Sequence, residues 1–391
     1  MYRLIYLSLI LSPLLIVFTK KIGFILFLLL VIFSPLITGF TVENSKSFLG
    51  FPVSPFEFFS IFVWFKFLFF LSKKTFISFN KVHINILLFI LWLLFSSILT
   101  LFYRTGDPTV LIRNVILLST VLPISFLFKN KFSEKDLKIL NFGFLITFFL
   151  ALIISIEVGR LTRGVEIYGI YLNKVDKFMN SFIFIIYFCI YLSFKNIKNR
   201  IFYLLINLLG ILISQGRAFW FATLFLIILY SCLNKNFRLL FIVFLLFIVL
   251  YNLIFNFLQQ RITLGERSAI YRIEEFKVIL ENLILEPQSY ILGKGLGAVI
   301  PLNLAMKFES PYPWWIHNEF LFILYDTGII GVILYLLCII ELIRYGIKKN
   351  RVIFYYALSL IIVSLTTGQF LNLLTGPWLG FLMSQKECNN G

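Results

Sequence analysis

VHINILLFILWLLFSSILTLFY, residues Val82–Tyr103, runs for 22 positions with no Asp, Glu, Lys or Arg. As a helix it is about 33 Å long, the hydrocarbon thickness of a bilayer. Its apolar residues are consecutive rather than alternating, so it does not read as a barrel strand. Backbone groups in lipid must be satisfied within the segment, which a helix alone achieves for such a run.

The same reading extends outward over the chain. Windows of about 19 residues give further spans at Leu4–Phe18, Ile22–Phe40, Phe51–Leu71, Thr109–Phe128, Ile139–Glu157, Phe178–Phe194, Ile201–Gln215, Ala218–Leu233, Phe237–Leu258 and Phe320–Ile343. A last stretch, Val352–Met383, is broken by Gly368, Gly376 and Pro377 and reads as one span with a re-entrant tail or as two. Leu4–Phe18 has the length of a signal sequence but no small-residue cleavage site, and is read as retained. The expected class is therefore all-α: a single polytopic membrane domain, residues 1–391, of about 12 transmembrane helices.

Composition agrees. The 391 residues are 60% hydrophobic and only 14% charged, with a mean hydropathy of +0.96; soluble domains carry about 25% charged residues. The net charge of +17 lies in short clusters between apolar runs rather than along one soluble face, which argues against nucleic acid. Four scattered cysteines suggest neither a disulfide framework nor a metal cluster.

The clusters fall in alternate loops: Lys20 and Lys21; Lys73, Lys74 and Lys81; Lys129, Lys131, Lys135 and Lys138; Lys195, Lys198 and Arg200; Lys235 and Arg238; Arg344, Lys348, Lys349 and Arg351. The positive-inside rule turns these to the cytoplasm. Gly159–Lys177 and the long segment Gln259–Glu319 then face outward. With twelve spans this puts the N-terminus outside, unless the first run is a half-span or the count is odd.

The chemistry is expected in the long outer loop, 259–319. Within it Ala269, Ile270, Ile273, Phe276, Leu280, Leu283 and Ile284 recur at helical spacing, with Arg267, Arg272, Glu274, Glu275, Lys277 and Glu281 on the remainder. That pattern predicts an amphipathic helix on the membrane surface, ended by Pro287. Gly293, Gly295 and Gly297 form either a plain turn or one whose amides approach a ligand. Pro311, Tyr312, Pro313, Trp314 and Trp315 then lead to His317 and Asn318 at the start of the next apolar run. A helix start favours an anion and a neutral imidazole, as a general base requires, while Glu319 pulls the other way. A plain interfacial His among Trp rings fits as well. Arg217 interrupts an apolar stretch at an outer helix boundary, where it either serves a ligand or snorkels to headgroups.

Taken in order, these pieces resemble the O-antigen ligase and polymerase superfamily, bacterial membrane enzymes that move glycans from a polyprenyl diphosphate carrier to an acceptor. The likeness rests on Arg267 with Tyr271, the glycine run, His317-Asn318-Glu319-Phe320-Leu321 and Asp326-Thr327-Gly328-Ile329-Ile330-Gly331, with a second match at Ser214–Ala218 and a weaker one at Arg163 and Asn173. Three positions depart from it: Tyr271 for Trp, Asp326 for Glu, and Gly216 for the Ser before Arg217.

The resemblance implies that Arg217 and Arg267 bind the carrier diphosphate and His317 activates the acceptor hydroxyl. Arg272, Tyr271, Asn318 and Arg163 are further substrate contacts. The expected donor is an undecaprenyl diphosphate-linked glycan and the acceptor a glycan or lipid A core sugar, at the periplasmic face of the bacterial inner membrane. No cofactor or metal is expected. The four aspartates, Asp107, Asp136, Asp176 and Asp326, include no adjacent or one-apart pair for a metal motif, and arginine supplies the positive charge instead. No carboxylate pairing suggests a glycosyl-enzyme, so transfer is read as single displacement with inversion. Ligase and polymerase share this site logic. A flippase or transporter is the third reading, for which broken helices near mid-membrane would speak.

Overall fold

In the computed structural model the run that opens the sequence argument is one 23-residue helix, Lys81–Tyr103, started by a reciprocal cap between Asn80 and His83. The structure describes residues 24–25, 28–29, 55–72, 79–129, 134–162, 165–167, 170–172, 181–193, 200–213, 217–235, 237–249, 272–300, 318–365 and 375–384. The elements in order are α1 (Pro55–Ser72), α2 (Lys81–Tyr103), α3 (Thr109–Ser119), α4 (Val121–Leu127), α5 (Glu134–Thr162), β1 (Val165–Ile167), β2 (Ile170–Leu172), α6 (Ser181–Ser193), α7 (Arg200–Ile213), α8 (Arg217–Asn234) and α9 (Arg238–Val249). They continue with α10 (272–285), α11 (Pro287–Leu292), α12 (Glu319–Lys349), α13 (Arg351–Ser364) and α14 (Thr375–Ser384).

Among the described residues the regular elements are helices, except for the antiparallel hairpin β1–β2, in register Val165↔Leu172. Three helices are long and apolar enough to cross a membrane, Lys81–Tyr103, Lys138–Glu157 and Glu319–Lys349, and several shorter ones are apolar. Large apolar side chains on them, such as Ile98, Leu101 and Phe142, are exposed, as lipid contact would require. The chain is that of a membrane protein.

Two expected spans are divided. Thr109–Phe128 is two helices meeting at Thr120. Pro123 cannot donate to the Ser119 carbonyl four residues back, so the ladder fails there, and Thr120 closes the turn with its hydroxyl on the Leu117 carbonyl at 2.6 Å. The stretch Val352–Met383 contains two separate helices, α13 and α14.

The chain forms two compact units, one of Met1–Thr75, Pro123–Gln259 and Leu382–Gly391, the other of Phe76–Leu122 and Gln260–Phe381. In the first, α6 is the interior helix. Every residue from Ile183 to Leu192 is buried, as expected of a helix apolar on all sides. Gly210 of α7 lets the Phe184 ring lie against the backbone, where a Cβ would overlap it. Arg200, read from sequence as one more cytoplasmic cation, closes the end of α6 by donating to the Tyr191 and Leu192 carbonyls and lies 5.2 Å over the Tyr230 ring.

In the second unit α2 and α12 are antiparallel. Asn85 meets the Leu337 carbonyl, Phe89 the Tyr335 ring, Trp92 the Thr327 carbonyl and Ser96 the Asp326 carbonyl. Helix α13 returns along α12 after a tight turn at Asn350, made possible by Gly346, whose Cβ would overlap the Phe354 amide. Lys81, Lys348, Lys349 and Arg351 therefore gather at one end of this unit, as the alternation of charged loops predicts.

Candidate functional site

The expected span Phe320–Ile343 is not one straight helix. Gly328 within α12 has φ 69° and ψ −172°, a conformation essentially confined to glycine. The side chains on either side show how far the chain turns. The Tyr335 hydroxyl donates to Glu319 Oε2 at 3.2 Å, and the Phe320 and Tyr335 ring centroids are 5.5 Å apart. Sixteen residues along a straight helix would separate their backbones by about 24 Å, more than a Glu and a Tyr side chain together can span. Residues 319–327 are thus a half-helix folded back at an acute angle on residues 329–349, which alone are about 32 Å long and sufficient to span.

The glycine turn occupies the place a straight α12 would have filled. Beyond Ser96 on α2, Thr100 donates to the Leu296 carbonyl at 2.8 Å and Thr105 to the Lys294 carbonyl at 2.8 Å. Gly106 bridges Ala298. A Cβ at Gly328 would overlap the Ile291 carbonyl and approach Gly293 N to 2.7 Å, so the bend and the turn meet backbone to backbone.

The amides of this turn are consequently not offered to a ligand. Gly293 N donates to Ser289 O at 2.8 Å, Lys294 N to Tyr325 O at 2.7 Å, Gly295 N to Asp326 O at 2.9 Å, Leu296 N to Ser96 O at 3.2 Å and Gly297 N to Asp326 Oδ2 at 2.8 Å. Of the two sequence readings, the structural turn holds: glycine is needed for close approach of protein backbone. Asp326 is fully buried, and its Oδ1 finds no donor among the described residues. Outside the bend, Lys294 pairs with Glu286; this contact and the Ser289 hydroxyl hold the Glu286 carboxyl below its ordinary value.

The half-helix begins at Glu319. Asn318 is its N-cap, accepting from Leu321 N at 3.1 Å, while its Nδ2 donates to Leu365 O at 3.0 Å. Both polar atoms of the Asn318 amide, assigned by resemblance to substrate, are thus engaged by protein. Glu319 is wholly buried and accepts from the Ser364 hydroxyl as well as from Tyr335. Its carboxyl group faces the α12–α13 packing, a role that its place near His317 in the sequence did not suggest.

Of the other expected site residues, Arg217 is the first residue of α8, and Arg272 opens the described part of α10 and is half-buried. His317, Arg267, Tyr271 and Arg163 lie outside the described residues. The amphipathic helix is present, with a division differing from expectation. Glu275, placed by spacing on the polar face, is buried with Ile279 and Leu283, while Ile273, Phe276 and Ile284 are exposed. Leu283 packs inward with Glu275 and Ile279 because steps of four residues put them on one stripe. Pro287 does not merely end α10; it is the first residue of α11, where its missing N–H costs nothing. Comparison with protein-family models and with characterised proteins gives no match to this chain.

Proposed function

We propose that this protein is a polyprenyl diphosphate-dependent glycan transferase of the bacterial inner membrane, crossing it about a dozen times. It acts as an O-antigen ligase on a lipid A core sugar or similar acceptor, or as the sister polymerase on a second carrier-linked repeat. The order of motifs from Arg217 to Gly331 supports this reading. The observation that carries it is where two of those motifs fall on the elements: Arg217 is the first residue of α8, and His317 is the residue before Asn318, the N-cap of α12. Helix starts favour anions, and a diphosphate is the anion this chemistry must hold.

In this mechanism His317 takes the proton of the acceptor hydroxyl as its oxygen attacks the anomeric carbon. The bond from that carbon to the diphosphate breaks, and Arg217 and Arg267 receive the charge growing on the departing polyprenyl diphosphate. The anomeric configuration inverts, and no metal takes part.

A second reading, a carrier for lipid-linked glycans, is favoured by the bend at Gly328, since discontinuous helices mark transport sites. Against it, the Tyr325 and Asp326 carbonyls and one oxygen of the Asp326 carboxylate are taken up by amides of the glycine turn. Purified protein in liposomes, given a polyprenyl diphosphate-linked glycan and chelator, should join the glycan to core lipid or to a second carrier-linked repeat. Donor crossing the bilayer without transfer would overturn the enzyme reading in favour of the carrier.

A further inference from the structure

Glu319 is a wholly buried carboxylate in an apolar bundle, and burying such a group is costly unless it is hydrogen-bonded. It receives the hydroxyls of Tyr335 and Ser364, which come from two different elements, the spanning part of α12 and the end of α13. Tyr335 and Ser364 stand 15 and 14 residues from Asn350 along antiparallel helices, about 21–22 Å from that turn. The Glu319 carboxylate is therefore drawn away from the bend, to the level at which Tyr335 and Ser364 face each other. Gly328 permits the fold-back, but a glycine hinge does not choose a direction. The three-oxygen contact supplies one.

We propose that Glu319 is a positioning residue: with Tyr335 and Ser364 it latches the half-helix 319–327 in its folded-back posture and so fixes the helix start at Asn318. This rests on the glycan-transferase reading for its consequence in catalysis, because His317 is the residue before Asn318. The latch itself is independent of that reading. Glu319 touches no reacting atom in this scheme. It acts through the position of the helix start, where displacement by about 1 Å can cost about 100-fold in rate.

The test uses the full chain in liposomes and two readouts. The first is cross-linking of the pair Asn318→Cys and Leu365→Cys, whose parent residues are hydrogen-bonded across the latch, in a background lacking the native cysteines. The second is glycan transfer by chains without that pair. Glu319→Ala should lose the cross-link and lower kcat by about 10-fold or more, with KM for the donor little changed. Glu319→Gln, whose amide oxygen accepts the same hydroxyls, should keep the cross-link and restore kcat to within about threefold. Tyr335→Phe with Ser364→Ala should reproduce Glu319→Ala while leaving the carboxylate in place, and serves where Glu319→Ala fails to insert. Loss of the cross-link with full turnover would overturn the positioning role. Loss of turnover in Glu319→Gln with the cross-link intact would also overturn it, and would make the carboxylate a direct participant. If His317→Ala transfers glycan normally while the cross-link responds as described, the transferase assignment of His317 fails and the latch stands.

Discussion

The amide of Gly297, in the glycine turn, donates to the carboxylate of Asp326, in the half-helix 29 residues further on, at 2.8 Å. The bond ties the glycine turn to the half-helix, and it leaves Oδ1 of the same carboxylate without a donor among the described residues. Asp326→Leu removes the acceptor and strands a buried N–H, a loss of about 1–3 kcal/mol. Asp326→Asn keeps an acceptor for Gly297. Thermal unfolding in detergent should therefore rank wild type first, Asn next and Leu last. A Leu variant as stable as wild type would show that the contact contributes nothing to holding the turn.

Gly328→Ala tests the bend itself. Its φ of 69° with ψ near 180° strains any other residue by about 1–3 kcal/mol, and the new methyl would overlap the Ile291 carbonyl. The expected result is a lower melting temperature together with loss of the 318–365 cross-link described above. If the variant cross-links and melts like wild type, the fold-back does not depend on glycine.

How much of this was legible beforehand follows from the residues. The span in α2 was plain because Val82–Tyr103 is apolar throughout, and hydropathy reads such runs directly. The bend was not, because Phe320–Ile343 is equally apolar and hydropathy does not register direction. Gly328 was quoted as part of a motif, yet an isolated glycine in a helical pattern is tolerated often enough to pass as helix. Glu275 was misassigned because spacing alone assigns charge to the solvent face, and a buried carboxylate needs partners that only the fold supplies. The role of Glu319 was hidden for the same reason: Tyr335 and Ser364 are 16 and 45 residues away in sequence. The chemistry proposed for His317, Arg217 and Arg267 rests on the order of motifs alone.

The charge clusters predict a sidedness that labelling can check. Lys81, Lys348 and Lys349 share one end of the α2–α12 pair and the glycine turn occupies the other. Cysteines placed singly at Gln288 and Ile347, both exposed, in a background lacking the native cysteines, should label oppositely. An impermeant thiol reagent added to intact cells should reach Gln288→Cys alone. Labelling only at Ile347→Cys would invert the orientation and put the proposed site on the wrong face for a periplasmic acceptor.

The Lys294–Glu286 pair beside the turn gives a pH dependence with a definite sign. The Glu286 carboxyl is held below its ordinary value, so the pair stabilises the fold above the ordinary glutamate range. That contribution is lost as pH falls through the lowered folded-state value. Glu286 is 61% exposed in the pair, so the effect is small and sensitive to salt. The melting temperatures of wild type and Glu286→Gln should differ slightly at neutral pH and converge on acidification. A difference that grows as pH falls would reverse the assigned shift.

The two halves of the proposed reaction are separable by mutation. His317→Ala should bind the carrier diphosphate normally and turn over about 100-fold more slowly or worse, the scale for a positioned general base. Arg217→Ala and Arg267→Ala should weaken donor binding and turnover together, because each removes charge-assisted hydrogen bonds that strengthen as the diphosphate departs. Lys at either position restores charge without the planar fork, so rescue should be partial. Donor binding by purified variants and transfer in liposomes decide the matter together. If Tyr or Trp at position 317 supports near-normal transfer, the imidazole takes no proton and His317 is an interfacial anchor. If Arg267→Lys is fully active, the diphosphate is held by charge alone and bidentate recognition falls.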